Sequence, residues 1–423
     1  MENSIYHALG LHMHQPPGNL KLLIETNEWE AKQIILCYQR PLKYAKYFED
    51  IAYFHVGFSG ILLEQLIDKE IIDRYRHILD IPKMLDDYRN ANNIEFIGMG
   101  YFHPIFPLVP TDDWKEQLDR GKDIMKDLFG KEPVGFWPPE MAFSMEMIPI
   151  LKKNGYNYIV VDSVHVKPKD LLEGEDIIYQ PHIVQYDGVE MVVIPRDRDL
   201  SNAQESGLDS NWFNNEVLSK TGKAKRPCLV TTWSDGENGG WFRQLDEGAG
   251  FWGHYFAPYM AKVRNRDICI RPKLMSDYIR EHKPKTNVEV EVHTGAWNVG
   301  SRSGYDFSQW AGSDTQRKAM RDIWEISKIY HQSLKEIERV NKERDVSSIK
   351  ERLKEAYNLI LRSQTSCYFF WGDSWIPRVY ENIIPAKELI EKVRRELSDN
   401  YEKKKEDNTK KKKEDQERKY FAL

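Results

Sequence analysis

The chain has 423 residues, 41% of them hydrophobic and 30% charged, with a formal net charge of −5. That apolar share supplies a sizeable core and excludes global disorder, and the length suits one large domain or two to three ordinary ones. Residues 401–423 hold nine Lys/Arg against six Asp/Glu, which leaves the body before them at −8 and argues against a nucleic-acid-binding main surface.

Taken in chain order, Ile5–Met13 reads as an opening strand and Tyr53–Gly57 as a second, followed by a helical pattern through Leu62, Leu63, Leu66 and Ile67. Ile94–Gly98 is a third strand and Val134–Trp137 a fourth, with a helix from about Ser144 to Asn154 closed by Asn-Gly. Tyr158–Asp162, Met191–Pro195 and Cys228–Trp233 continue the series. Strand, loop and helix repeated at this spacing predict parallel βα units and a barrel, incomplete or distorted, over residues 1–286. From about Asn287 the texture changes, and Gln316–Leu334, Ser347–Arg362 and Pro385–Leu397 have helical periodicity without intervening strands. A C-terminal helical domain is expected over 287–399, then a charged tail over 400–423 that is helical or disordered.

No run approaches the ~18 apolar residues of a membrane span, and His and Gln interrupt Met1–Pro16, so neither a membrane segment nor a leader is expected. Cys37, Cys228, Cys269 and Cys367 make no CxxC pair, which points to a reducing, cytoplasmic setting without a cysteine metal site. No GxGxxG or GxxxxGK[ST] occurs, so the common nucleotide-binding readings fall away and no cofactor is expected. Trp137, Trp233, Trp241, Trp297, Trp310, Trp371 and Trp375 lie outside aliphatic runs, where flat rings suit the apolar faces of sugars.

In a βα barrel the reacting groups gather at the carboxyl ends of the strands. Here the first strand ends in His12-Met13-His14-Gln15-Pro16, and the two imidazoles of an extended chain project to one side. The third is followed by Gly100-Tyr101-Phe102-His103-Pro104, the fourth by Trp137-Pro138-Pro139-Glu140 and the seventh by Asp235-Gly236-Glu237. Each has a plainer explanation: a structural His pair, a carboxylate capping a helix, a turn dipeptide. Packing alone does not explain why a stiff Trp-Pro-Pro segment delivers a carboxylate to a barrel mouth. Two carboxylates from different strand ends are what glycoside hydrolysis uses, one at the anomeric carbon and one as proton donor with a raised pKa. Trp233, Trp241 and Glu237 are the expected cause of such a rise at Asp235.

At these residues the sequence resembles glycoside hydrolase family 57, which includes α-amylases, 4-α-glucanotransferases and branching enzymes. The resemblance implies a (β/α)7 barrel with a helical domain closing over the site. It makes Glu140 the nucleophile and Asp235 the general acid/base, with His12, His14, His103, Trp137 and Glu237 around the sugar at the cleavage point. The fifth motif region corresponds to Gln364–Trp375, where Cys367 stands in place of an aspartate and Asp373 follows six residues on. Trp371, Asp373 and Trp375 are expected to bind sugar at outlying subsites.

The expectation is a retaining hydrolase of α-1,4-glucans or maltooligosaccharides, with some transglycosylation favoured by the aromatic cluster Trp233, Trp241, Phe242, Phe251 and Trp252. A 4-α-glucanotransferase or branching enzyme is the alternative. From another class comes a metal-dependent amidohydrolase or deacetylase, whose metal site could begin at His12-Met13-His14 and recruit His103, His165 and Asp235. That alternative leaves Trp-Pro-Pro-Glu unexplained. A glucan-binding protein without activity ranks last, because both carboxylates are present.

Overall fold

Apolar runs buried on both faces make the strands of this protein, as parallel sheets require. The computed structural model describes residues 4–168, 177–222, 224, 227–284, 290–297, 305–340 and 347–420, with the side chains of 338–340 and 399–420 excepted. In chain order the strands are β1 (Ile5–Met13), β2 (Phe54–Phe58), β3 (Ile94–Gly98), β4 (Gly135–Phe136), β5 (Tyr158–Asp162) and β6 (Val166–Pro168). They continue with β7 (His182–Tyr186), β8 (Val189–Arg196), β9 (Cys228–Asp235), β10 (Ile270–Pro272) and β11 (Val290–Val292).

The sheet runs β9–β1–β2–β3–β4–β5–β8, every neighbouring pair parallel. These are the seven strands expected from the sequence, with β4 cut to two residues by Pro133 before it and Pro138 after it. Among the described residues no ladder joins β8 to β9. Instead the Asp197 N–H donates to the Thr231 carbonyl (2.8 Å) and the buried Arg196 Nε donates to the Trp233 carbonyl (2.7 Å). The barrel is therefore distorted at one seam.

Four short strands were not foreseen. β7 folds back antiparallel on β8 through Asp187-Gly188, both at positive φ (49° and 74°), the backbone that a two-residue hairpin turn prefers. β10 adds three residues beside the start of β1, and β6 pairs with β11 as a separate antiparallel ribbon.

Alternation along β1 divides the core. Leu9 and Leu11 join the outer layer with Val56 and Phe96 and with helices Glu28–Tyr47 and Ile81–Asn90, whereas Ala8 joins Trp137, Tyr158, Leu229 and Trp233. Gly10 has no alternative residue, because a Cβ there would lie 1.9 Å from the Trp233 ring.

The chain divides into two compact units, 1–310 with 365–367, and 311–364 with 368–423. The change of unit thus falls later than the 286/287 boundary expected from sequence texture. The reason is local pairing: β11 is bound to β6, Gly295 bridges to Phe143, and Trp310 is fully buried. The second unit comprises helices α1 (Asp314–Val340), α2 (Ser347–Ser363) and α3 (Pro377–Tyr420). Val379, Ile383, Ala386, Ile390 and Val393 give α3 its buried stripe. The charged tail continues α3 to Tyr420 without a break. No helix among the described residues is long and apolar enough to cross a membrane.

Candidate active site

β1 ends at Met13, and the turn after it is held from below by Glu237. The Glu237 Oε1 accepts the His14 backbone N–H (2.9 Å) and the Gln15 side-chain amide (3.1 Å). Burial pushes Glu237 up to about 8, eased by the His14 N–H. Glu237 is thus fully buried beneath the His-Gln turn and supports the site from behind.

His12, two residues earlier, puts Nδ1 2.6 Å from Asp235 Oδ1 at the end of β9. Burial works against a charged imidazole, but Asp235, backed by Glu140 and Glu237, raises His12 to about 9. Burial alone would raise Asp235 as well. The His12 charge, with the Asn238 amide 2.5 Å from Oδ2, holds it below the usual carboxylate value. The expected upward shift at Asp235 is therefore absent. Its supposed causes point elsewhere: the Trp233 ring stacks on Trp137 (4.6 Å) inside the barrel, and Glu237 faces the His-Gln turn.

The raised proton affinity belongs instead to Glu140. Burial, reinforced by the Asp235 charge, pushes it up to about 7, while His12 and the hydrogen bonds from Ser366 and Trp297 pull it back. Ser366 Oγ donates to Oε1 and Trp297 Nε1 to Oε2, both at 3.0 Å. After the two prolines, Glu140 itself sits at φ 57° and Met141 at 53°. A left-handed backbone at consecutive non-glycine residues is costly, and such strain gathers at functional sites.

His103 shares that trait, with φ 59°, and pairs through Nδ1 with Ser366 Oγ (2.8 Å). Its ring stacks on His14 at 3.9 Å and on His12 at 5.3 Å. Burial, then the neighbouring imidazoles, hold His103 well below the ordinary histidine value, and burial with His12 lowers His14 to about 3. His14 bonds Ser59 Oγ through Nδ1 (2.8 Å) and meets the Cys367 thiol through Nε2 (3.2 Å). Burial raises Cys367, so the thiol stays protonated.

Six of the expected residues, His12, His14, His103, Glu140, Asp235 and Glu237, thus share one site. Trp137 is a correction. It is 0% exposed, locked between His12 (6.0 Å) and Trp233, and forms the floor under the imidazoles with no face open to a sugar. The aromatic cluster expected to favour transfer is also mostly core: Trp233, Phe242, Phe251 and Trp252 are buried, and only Trp241 is half-buried. In the second unit Trp371 is exposed and Trp375 half-buried beneath the Arg378 guanidinium (4.3 Å), while Asp373 accepts from Ser313 Oγ.

Sequence reasoning missed Ser366, Trp297 and Glu205. Ser366 lies in the fifth motif segment, one residue before Cys367. Trp297 carried only the signal of an indole outside an aliphatic run. Glu205, on helix Arg198–Ser206, belongs to no motif at all. Of the donors the metal alternative would recruit, His12, His14, His103 and Asp235 lie in this site, but His103 stacks on both other imidazoles and His165 turns to the Ala296 carbonyl (2.9 Å); among the described residues no three His, Cys, Asp or Glu are grouped to hold an ion.

A parallel barrel whose strand ends carry a strained carboxylate, Glu140, and a His-paired one, Asp235, presents the groups of a glycoside hydrolase. The chain belongs to glycosyl hydrolase family 57, whose family model matches residues 8–291. It is 25% identical over 299 residues to "Alpha-amylase 1" of Dictyoglomus thermophilum, covering 68% of this chain and 39% of that protein. It is 26% identical over 199 residues to a 4-alpha-glucanotransferase of Thermococcus kodakarensis, covering 45% of this chain and 26% of that one. The chain thus spans well under half the length of these curated relatives.

Among solved structures, a branching enzyme of this family from Pyrococcus horikoshii superposes with a TM-score of 0.65 at 15% identity, covering 93% of this chain and 88% of that one. The alpha-amylase AmyC of Thermotoga maritima gives 0.63 at 14%, covering 94% and 93%. Both likenesses establish the fold.

Proposed function

We propose that this protein cleaves α-1,4-glucans with retention of anomeric configuration, as an α-amylase-type hydrolase that also passes some glycosyl units to sugar acceptors. The observation that carries this is the presence in one site of two carboxylates in different settings: Glu140, bonded by Ser366 and Trp297, and Asp235, whose Oδ1 lies 2.6 Å from His12 Nδ1. Ionised Glu140 attacks the anomeric carbon while the bond to the leaving oxygen breaks. The proton held on His12 passes through Asp235 to that oxygen. In the second step Asp235 draws a proton from water, or from an acceptor hydroxyl, and the Glu140 ester is released. His103 Nε2, buried and without a hydrogen-bond partner among the described residues, is proposed to meet a substrate hydroxyl.

Product analysis on amylose and maltooligosaccharides tests this, recording chain length and anomer. Retained α-anomers are expected, and inverted β-products would overturn the covalent intermediate. A second reading exchanges the roles, because Glu140 binds its proton more tightly than Asp235. A 5-fluoroglycosyl fluoride trap separates the two. Label on Glu140 is expected, and label on Asp235 would reverse the assignment.

Starch or glycogen is the proposed physiological glucan. A cytoplasmic location is supported by four cysteines that are all free thiols. The exposed indole of Trp371 and the half-exposed one of Trp375 are proposed as platforms for outlying sugars of long chains. Asp373, beside them, is proposed to accept a sugar hydroxyl.

A further inference from the structure

The loop that leaves Asp235 and the end of helix Arg198–Ser206 border an open hollow of about 460 Å³, lined by Glu205, Ser206, Gly239, Gly240, Trp241 and Leu245. That volume is within the ~300–1,000 Å³ range of small-ligand sites. Gly239 and Gly240 leave its wall bare of side chains. Glu205 is half-buried, and among the described residues its carboxylate has no hydrogen-bond or ion-pair partner. The Trp241 indole is half-buried, packed edge-on against His254 at 5.6 Å, and its Nε1 is buried without a partner. A carboxylate beside an indole, both without polar partners, matches a pyranose, which offers hydroxyl donors at its rim and C–H groups on its face.

The hollow also has a defined place beside Asp235. Gln204, the residue before Glu205, donates to the Oγ of Ser234, the residue before Asp235 (2.8 Å), and Asn238, the residue before Gly239, donates to Asp235 Oδ2 (2.5 Å). The proton donor of a retaining glycosidase sits beside the leaving sugar and afterwards beside the acceptor that replaces it. We propose that Glu205 and Trp241 form the binding site for the glucosyl unit on the Asp235 side of the scissile bond, with Glu205 accepting hydrogen bonds from its hydroxyls. Burial, then the Asp235 charge, raise Glu205 to about 7, the behaviour of a carboxylate short of donors that a sugar would supply. The inference rests on the retaining reading and on Asp235 as the acid/base.

Two donors separate the proposal from that reading. α-Maltotriosyl fluoride carries no sugar on the leaving side, whereas maltotetraose does. For Glu205→Ala and Trp241→Ala, kcat/KM on maltotetraose relative to the fluoride is expected to fall about 10- to 100-fold, the size of a lost hydrogen bond to a charged group. With the fluoride as donor, the KM for added maltose as acceptor is expected to rise similarly. Glu205→Asp should recover part of both effects. Equal losses on the two donors, or none, would overturn the subsite while leaving the reaction intact. A wild-type protein that consumes neither donor would overturn the retaining glucan reading and the subsite with it. Should Glu205→Ala fail to give the wild-type unfolding midpoint, Trp241→Phe carries the same comparison.

Discussion

Proton affinities at the mouth of the barrel are set by contacts a few ångströms long, and each can be cut singly. Glu140→Gln and Asp235→Asn should each reduce turnover of maltooligosaccharides by at least ~10²–10⁴-fold, the contribution of general acid–base groups, while circular dichroism stays unchanged. Near-normal turnover in either would remove that residue from the mechanism. Ser366→Ala acts more subtly. Its hydroxyl stabilises the ionised form of Glu140, so without it the carboxyl holds its proton to higher pH. Since attack needs the carboxylate, the acidic limb of the kcat/KM profile should move to higher pH. A profile that does not move, or moves downward, would dissociate Ser366 from Glu140. Residue identities at the site were legible because they sit in strand-end motifs. Ser366 was not, because its role follows from a backbone bond to the His103 carbonyl (3.0 Å) that no local pattern announces.

Elements carry the site through unusually close approaches. Helix Thr111–Phe129 reaches beneath the segment after β3: Gln117 accepts the Tyr101 and Phe102 N–H groups, and a Cβ on Gly121 would lie 2.4 Å from the Met99 carbonyl. Gly121→Ala must push that segment, and His103 with it, away from the helix. We expect a loss of ~1–3 kcal/mol, typical of overpacking, in urea unfolding, together with reduced activity. An unchanged midpoint would mean that the helix slides freely. The seven barrel strands could be read from apolar runs because each is buried on both faces. β6, β10 and β11 could not, being only three residues each and defined by their partners. β7 differs, because Asp187-Gly188 between alternating residues is itself a hairpin signal. Aromatic content misled for a related reason. Trp137 and Trp233 flank turns in sequence, yet the barrel interior needs large rings and takes both.

The buried titrating groups make the whole fold sensitive to pH in two directions. His12 is raised from 6.5 to about 9 and Glu237 from 4.5 to about 8, so the native state holds protons that the unfolded chain has released. Their stabilisation is complete below the unfolded values and is lost as pH rises through about 8 and 9. His7 and His14 are depressed from 6.5 to about 3. Theirs is present above 6.5 and disappears as pH falls toward 3. Thermal midpoints should therefore peak near neutrality or slightly below and decline on both sides. The alkaline decline should be shallower in His12→Gln. A midpoint still climbing from pH 7 to 9 would contradict the buried protons at His12 and Glu237.

Ser366 lies 226 residues after the carboxylate it serves. At ~5–20 residues per second a ribosome needs on the order of 10–45 s to make that interval, while strands already released can begin to pair. In its later part, once Glu237 has been made, the nascent barrel can hold every group of the first four motifs and still lack the hydroxyl that steadies Glu140 and His103. Until the fifth segment emerges, Glu140 therefore holds its proton to higher pH than in the finished fold, a property that chain order alone imposes on the nascent barrel.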